Sequence, residues 1–523
     1  MKVFTTTGAC IPENNYMVDI TERLKKIRKM VDAGDYFTIN RARQYGKTTT
    51  LTALKKDLKD QYDVLSLDFQ DLDEDDFFSG RVFTHALAQM LIDECELNDA
   101  EIPEPYLEML REITLSDTDK VRMADIFRVF RRWCKDSDKP VVLIIDEVDS
   151  ASNNQVFLDF LAQLRSGYIA RVSKGADTFH SVILAGVTDV KNLKRKLRPE
   201  DVHKFNSLWN IAANFNIDMS LSADGITGML DEYEKDHHTG MDTRRIAEEI
   251  FDYTSGYPYL VSCICQTIDE RLTDSWNTFG VGQAVKLIIT ESNMLFDSLM
   301  GKVSDNEPLS DLLERILLGG EQIIYNQYNI SSMDGEMYGF LKNNDGVLAI
   351  SNRMFEMLLY NYFLSRNELK ESSVSRSGFS EKESIIENGK LNMEKLLERY
   401  AAVFDDIYEG RAEAFDEEEG RRRFLLFVRP IINGTGYYYV EARTRNNERM
   451  DIVIDYHGER FVIELKIWRG EAYHEKGEKQ LAAYLEHYHL DKGYLLTYSF
   501  NKKKNSGLIF KTVEGKNLAE AFV

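Results

Sequence analysis

With 523 residues the chain is too long for one hydrophobic core and implies about two to four domains. Its 43% hydrophobic and 29% charged residues are the proportions of a folded, soluble protein. A formal net charge of -22 repels a polyanion overall, so any contact with nucleic acid has to come from local basic patches.

The opening MKVFTTTGACIPENN has no basic segment followed by an apolar run, and no stretch approaches the about 18 uninterrupted apolar residues of a membrane span. A cytoplasmic protein with no membrane partner is expected. Cys10, Cys95, Cys134, Cys263 and Cys265 are scattered, and the single C-x-C lacks the second pair that a zinc site needs, which predicts reduced thiols. Residues 1–217 read as a first domain. Within it the β-type runs YFTIN (36–40), VLSLDF (64–69), VVLII (141–145) and SVILAGV (181–187) alternate with charged helical stretches, the pattern of a parallel sheet flanked by helices. The runs at 141 and 181 are apolar almost throughout and should be central.

After YFTIN the chain reads RARQYGKTTTL, a phosphate-binding loop of the form G-x-x-x-x-G-K-S/T with Arg41 in place of its first glycine. Such a loop needs backbone N–H groups at a helix start, a lysine for the β/γ oxygens and a hydroxyl for Mg2+. Gly46, Lys47 and Thr48 take those roles, with Arg41, Arg43 and Thr49 as further nucleotide contacts. VVLIIDE ends in Asp146, placed for the Mg2+ shell, and Glu147, placed for the attacking water. Thr188 and Asp189 stand where a γ-phosphate sensor or a plain loop would lie. Arg195 and Arg198 read either as arginine fingers or as solvent-facing charge. A finger lent by a neighbouring copy would require a homo-oligomer, whereas one supplied in cis would not.

Residues 218–365 read as a helical lid, interrupted at Gly256 and Pro258, with a winged-helix-like part in 335–365. Residues 366–390, rich in Ser, Glu and Lys, read as a linker. Residues 391–523 form a last α/β domain, with two helices, the β-runs YYYVEA (437–442), MDIVIDY (450–456) and RFVIELKIW (460–468), a helix (474–487) and GYLLTYSF (493–500). In ERMDIVIDYHGERFVIELKIW, period-2 alternation puts Glu464 and Lys466 on one face, with Leu465 toward the core, and a hairpin brings Asp451 near them. Two carboxylates and a carbonyl suit Mg2+, and a lysine beside them can activate water. Gln480 and Tyr484 follow at i, i+4 on the next helix. His474, His487 and His489 flank or end that helix and read as surface or capping residues. The basic runs KNLKRKLR (191–198), RRR (421–423) and KKK (502–504) read first as solvated faces.

These motifs carry two resemblances. YMVDITERLKKIRKMVDAGDYFTINRARQYGKTTTL, VVLIIDEVDS, ILAGVTDVKNL and SGYPYLV resemble the AAA-ATPase-like family of bacterial P-loop proteins over about residues 10–290. That family's loop opens with arginine, as here. Ala42 and Tyr45 replace its proline and phenylalanine, and Gly256 with Pro258 is similar to the lid motif of related ATPases. The D…E-x-K hairpin followed by Q-x-x-x-Y resembles the PD-(D/E)xK nuclease superfamily over about residues 395–510. Met450 stands where that name has proline. The resemblance implies Asp451 and Glu464 as metal ligands, Lys466 as water activator, Gln480 for positioning, and Glu419, with Glu418 as fallback, to complete the metal site. Together they imply a protein that uses ATP and Mg2+ and acts on nucleic acid, DNA ahead of RNA. Two alternatives stay open: a nucleotide-regulated binding or scaffold protein that does not cut, and an ATPase whose DNA contact is the lid.

Overall fold

The apolar runs of the first domain form strands β1 (Tyr36–Asn40), β2 (Asp63–Asp68), β3 (Val141–Asp146) and β4 (Ser181–Gly186). The computed structural model describes residues 2–97, 102–151, 154–187, 209–272, 274–318, 321–368, 372–408, 415, 417–432, 436–439, 452–487, 490–500 and 507–523. All strand pairings here are parallel, in the order β1-β4-β3-β2, so the two most apolar runs are central, as expected. Ala213 adds an isolated parallel bridge to Phe37 of β1.

The helices of this domain, before and between the strands, are α1 (Thr21–Asp32), α2 (Lys47–Leu58), α3 (Gly80–Leu97), α4 (Glu104–Leu115), α5 (Met123–Asp136) and α6 (Gln155–Lys174). Successive strand side chains point to opposite faces. Phe37, Ile39, Val142, Ile144 and Ile183 therefore meet Ile27 and Val31 of α1 and Leu51, Leu54 and Leu58 of α2. Tyr36, Leu65, Leu143, Ile145 and Leu184 pack on the other side against Phe83 of α3, Phe127 and Phe130 of α5, and Phe157 of α6. Fully burying one such Leu or Phe is worth about 1.5–3 kcal/mol, which fixes the strands and so the loops at their carboxyl ends.

Helices α7 (Ala223–His237), α8 (Thr243–Thr254), α9 (Pro258–Arg271), α10 (Thr278–Thr290), α11 (Met294–Asp305), α12 (Glu307–Leu317) and α13 (Ile330–Tyr338) follow. The chain divides into two compact units, one of residues 1–251, 256–271 and 337–339, the other of residues 252–255, 272–336 and 340–523. The expected lid of 218–365 is thus shared between them. Its winged-helix-like part holds a hairpin, β5 (Leu341–Asn344) with β6 (Val347–Ile350), turned at Asp345 and Gly346, both at positive φ, and followed by α14 (Arg353–Glu368).

The segment expected to be a linker contains α15 (Ser372–Ile385) and the short hairpin β7 (Ile386–Glu387) and β8 (Lys390–Leu391). A Cβ on Gly378 would lie 2.2 Å from the carbonyl oxygen of Phe427, so α15 lies hard against α17 (Glu417–Ile432), which follows α16 (Met393–Tyr408). Gly378, inside the segment read as a linker from its Ser, Glu and Lys, allows this close crossing. The second sheet runs β13-β14-β12-β11-β10-β9 and comprises β9 (Gly436–Tyr439), β10 (Ile452–Tyr456), β11 (Glu459–Ile467), β12 (Lys492–Tyr498), β13 (Leu508–Val513) and β14 (Lys516–Phe522). Strands β9, β10 and β11 form an antiparallel meander; α18 (Glu471–His487) then crosses over to β12, parallel to β11. Among the described residues, no helix is long and apolar enough to cross a membrane.

Candidate functional site

The turn between β1 and α2 places the first candidate site. Gln44 (φ 57) and Gly46 (φ 77) both adopt the left-handed region, which turns successive N–H groups inward at the start of α2. Tyr257, at the start of α9, braces this turn: its hydroxyl donates to the carbonyl of Arg43 at 2.5 Å, and its ring meets Tyr45 edge-on at 4.7 Å. Gly256 permits that approach, because a Cβ there would lie 2.0 Å from the Leu221 carbonyl.

Lys47 is 4% exposed, and its Nζ donates to the carbonyls of Arg41 and Ala42 at 3.2 Å each. Burial pulls its pKa below the ordinary value, against the opposing pull of Glu147, Asp149 and Asp146. Thr48 is exposed, and its hydroxyl donates to Oδ2 of Asp146 at 2.8 Å. The other Asp146 oxygen accepts the Glu147 N–H at 2.9 Å, and Glu147 itself lies at φ 49. Burial raises the Glu147 pKa, an effect that Lys47 opposes and Asp146 reinforces.

Two predicted contacts face elsewhere. Arg41 donates from its guanidinium to the carbonyls of Asn40 (2.7 Å) and Ile217 (2.6 Å) and lies over the Phe215 ring. The hydroxyl of Thr49 accepts the Cys10 N–H at 3.0 Å. Arg43 is exposed beside the loop. Sequence reading missed Asp68: at the end of β2 it is in register with Asp146, and burial, with Asp146 adding to it, raises its pKa. Its signal was positional, a carboxylate ending the neighbouring strand. Thr188, Asp189, Arg195 and Arg198 lie outside the described residues.

In the second unit, Glu464 of β11 is fully buried and forms an ion pair with Lys466 at 2.7 Å. Helix α18 covers this face: a Cβ on Gly477 would stand 3.0 Å from Cε of Lys466. Both faces of β11 are therefore buried, and Glu464 is as enclosed as Leu465. Gln480 is half-buried and Tyr484 buried on the same helix. The carboxylate of Glu419 is engaged by Arg422 (2.8 Å) and Arg423 (2.6 Å), which outweigh burial and lower its pKa. Glu417, which sequence spacing did not single out, accepts the Ile467 N–H at 3.3 Å and the Tyr473 hydroxyl at 3.2 Å, and so lies at the carboxyl end of β11. Asp451 lies outside the described residues, as does the side chain of Glu418. His474 is neither a surface nor a capping residue, being 5% exposed among buried carboxylates.

A parallel strand, a left-handed turn, a helix start bearing lysine and hydroxyl, and a strand-end aspartate bonded to that hydroxyl give an α/β unit with a parallel sheet that resembles a P-loop, Walker-type ATPase. No protein-family profile matches the chain, and no curated protein does. Among solved structures, it is similar to the Walker-type ATPase of Pyrococcus abyssi, with 12% identity over 68% of this chain and 99% of that one and a TM-score of 0.48. It is also similar to the ORC2 protein of Aeropyrum pernix (13% identity, 66% and 93% covered, TM-score 0.36) and Cdc6p of Pyrobaculum aerophilum (12%, 68% and 97%, 0.31). What the loop and strand ends do chemically follows from their own geometry.

Proposed function

We propose that the chain binds and hydrolyses ATP and that its C-terminal unit is a Mg2+-dependent nuclease, with DNA ahead of RNA as substrate. The observation that carries the ATPase half is the 2.8 Å bond from Thr48 to Asp146, at the mouth of the turn that holds Lys47. Hydroxyl and carboxylate oxygens in contact are the donor set of a hard cation, and Asp68 adds a carboxylate beside them. A bound Mg2+ would supply charge neutralisation for the phosphates there. Thr48 and Asp146 would hold it. Lys47 exchanges the Arg41 and Ala42 carbonyls for phosphate oxygens, and Glu147 orients and accepts a proton from water.

For the nuclease half, support comes from the buried Glu464–Lys466 pair. A buried ion pair is at best neutral for stability compared with apolar packing, so a functional reason for it is favoured. The hairpin, α18 and β12 also follow in the order that the sequence resemblance implies. In this reading Asp451 and Glu464 are metal ligands, Lys466 positions the attacking water and Gln480 the substrate. Glu417 takes the role first given to Glu419, because Glu419 is held by two arginines. ATP binding or hydrolysis licenses cleavage.

The test is cleavage of duplex DNA, single-stranded DNA and RNA by the full chain in Mg2+, with ATP or a non-hydrolysable analogue, comparing Lys47→Ala and Asp451→Ala. We expect Lys47→Ala to lower ATP hydrolysis by on the order of 100-fold or more, and Asp451→Ala to abolish cutting while leaving hydrolysis intact. Wild-type protein that cuts no more than Asp451→Ala would sink the nuclease half and leave the scaffold reading, which the net charge of -22 favours.

A further inference from the structure

Beyond the two sites above, α18 and the far strands of the second sheet enclose a third group of ionisable side chains. His474 and Glu478 stand one turn apart on α18, and Glu520 rises from β14 on the sheet face that the helix covers. The three are 5%, 9% and 1% exposed. Their ligand atoms lie within 4.8 Å of one another, the one such His/Cys/Asp/Glu group among the described residues.

The distances are those of ligands around an ion. Nε2 of His474 is 2.8 Å from Oε1 of Glu520 and 3.4 Å from Oε1 of Glu478. With metal bonds of about 2.0–2.2 Å, ligands at right angles stand about 2.9 Å apart and those at the tetrahedral angle about 3.4 Å. Neither ring nitrogen of His474 has a partner in hydrogen-bond geometry among the described residues, although Nε2 closely approaches a carboxylate. The surroundings are those of a supported site. Thr497 donates to Oε1 of Glu520 at 2.8 Å and orients it, while Trp468 flanks the imidazole at 4.9 Å.

A positive charge is already drawn in. Nζ of Lys511 lies 2.6 Å from Oε1 of Glu478 and 2.9 Å from Oε2 of Glu520. One ammonium balances only one of the two carboxylates. Lys511 is 34% exposed and can swing toward water.

We propose that His474, Glu478 and Glu520 bind one divalent transition-metal ion of the Zn2+ class, with Lys511 as the cation that it displaces. Imidazole selects such an ion over Mg2+. The ion clasps α18, which carries Gln480, onto β14. Thr497 of β12 is in register with Lys466, so one strand, β12, separates the clasp from the Glu464–Lys466 pair, and the two share no ligand. It does not depend on the nuclease reading.

The test uses the full chain, stripped with chelator and titrated with Co2+ in excess Mg2+, read by visible absorption and calorimetry, with circular dichroism of the metal-free proteins as the folding control. We expect one tightly bound Co2+ in wild type, affinity lowered by about 100-fold or more in His474→Ala and Glu520→Gln, and roughly tenfold tighter binding in Lys511→Met, which keeps all three ligands and removes a competing charge. Equal binding by wild type and the folded His474→Ala protein, no Co2+ bound by wild type, or Lys511→Met binding no tighter than wild type would each overturn the site. The group would then be a metal-free ion network.

Discussion

Replacing the first glycine of a phosphate loop with arginine is harmless where the backbone does not need positive φ. Here Gln44 and Gly46 have positive φ and Arg41 does not. Two arms of the Arg41 guanidinium bond the carbonyls of Asn40 and Ile217, so the side chain ties the loop's entry to the segment after Ala213. Arg41→Ala should therefore cost about 1–3 kcal/mol of stability, seen as a lower melting temperature, while ATP affinity changes by less than about threefold. Affinity lost as severely as in Lys47→Ala, with unchanged melting, would place Arg41 on the phosphates instead. Glu147 yields a second expectation. Its carboxyl holds a proton above the ordinary value of 4.5, mainly through burial. In its proposed role as proton acceptor it works only when ionised, so ATP hydrolysis should decline as pH falls through that raised pKa, and Glu147→Gln should abolish hydrolysis while keeping ATP binding. On stability the sign is opposite: the folded chain holds this proton more tightly than the unfolded one, so the contribution is present below the ordinary value and is lost as pH rises through the raised one. A pH–rate profile beside a pH–melting series measures both.

The crossing of α15 and α17 shows how close packing and composition part company. Gly378→Ala would drive a Cβ into the Phe427 carbonyl and toward Pro430, and should destabilise by about 1–3 kcal/mol. Gly301→Ala, in α11 with nothing within 4 Å of its Cβ, should instead be neutral or stabilise by up to about 1 kcal/mol. Paired denaturant titrations decide it; two similar changes would mean that α15 does not press on α17. The same contrast explains what the sequence disclosed. Strands such as Val141–Asp146 were legible because buried parallel strands write themselves as unbroken apolar runs, and Lys47, Thr48 and Asp146 because their spacing is local to strand ends. Helix α15 was hidden because its Ser, Glu and Lys composition reads as a linker, while Gly378 serves a tight interface. His474 was hidden because Glu520, which it approaches, and Lys511, which pairs with Glu478 and Glu520, arrive from more than thirty residues downstream, on strands that the sheet order β13-β14-β12 brings beneath α18. Glu417 was hidden behind two neighbouring glutamates, and only the ion pairs of Glu419 distinguish them.

For the proposed action on nucleic acid, a chain with a formal charge of -22 must overcome its own field. Of the three basic runs, 191–198 and 502–504 lie outside the described residues, and 421–423 is turned inward: Arg421 is 4% exposed, while Arg422 and Arg423 are paired with Glu419. Of these three runs, then, the one within the described residues offers phosphates no open cationic face, and attraction has to be local and helped by divalent cations. This predicts an unusual salt response. At about 10 mM salt the Debye length is about 30 Å and the whole negative surface repels DNA; at about 100 mM it is about 10 Å and only nearby groups count. Binding at fixed Mg2+ should therefore strengthen over that interval and weaken only above it, as local phosphate contacts exchange with salt. Fluorescence anisotropy of a labelled duplex against salt, using Asp451→Ala so that nothing is cut, measures this. A steep log-linear fall from the lowest salt onward would show that a basic surface within 191–198 or 502–504 dominates, and would make the net charge irrelevant to how this chain meets its substrate.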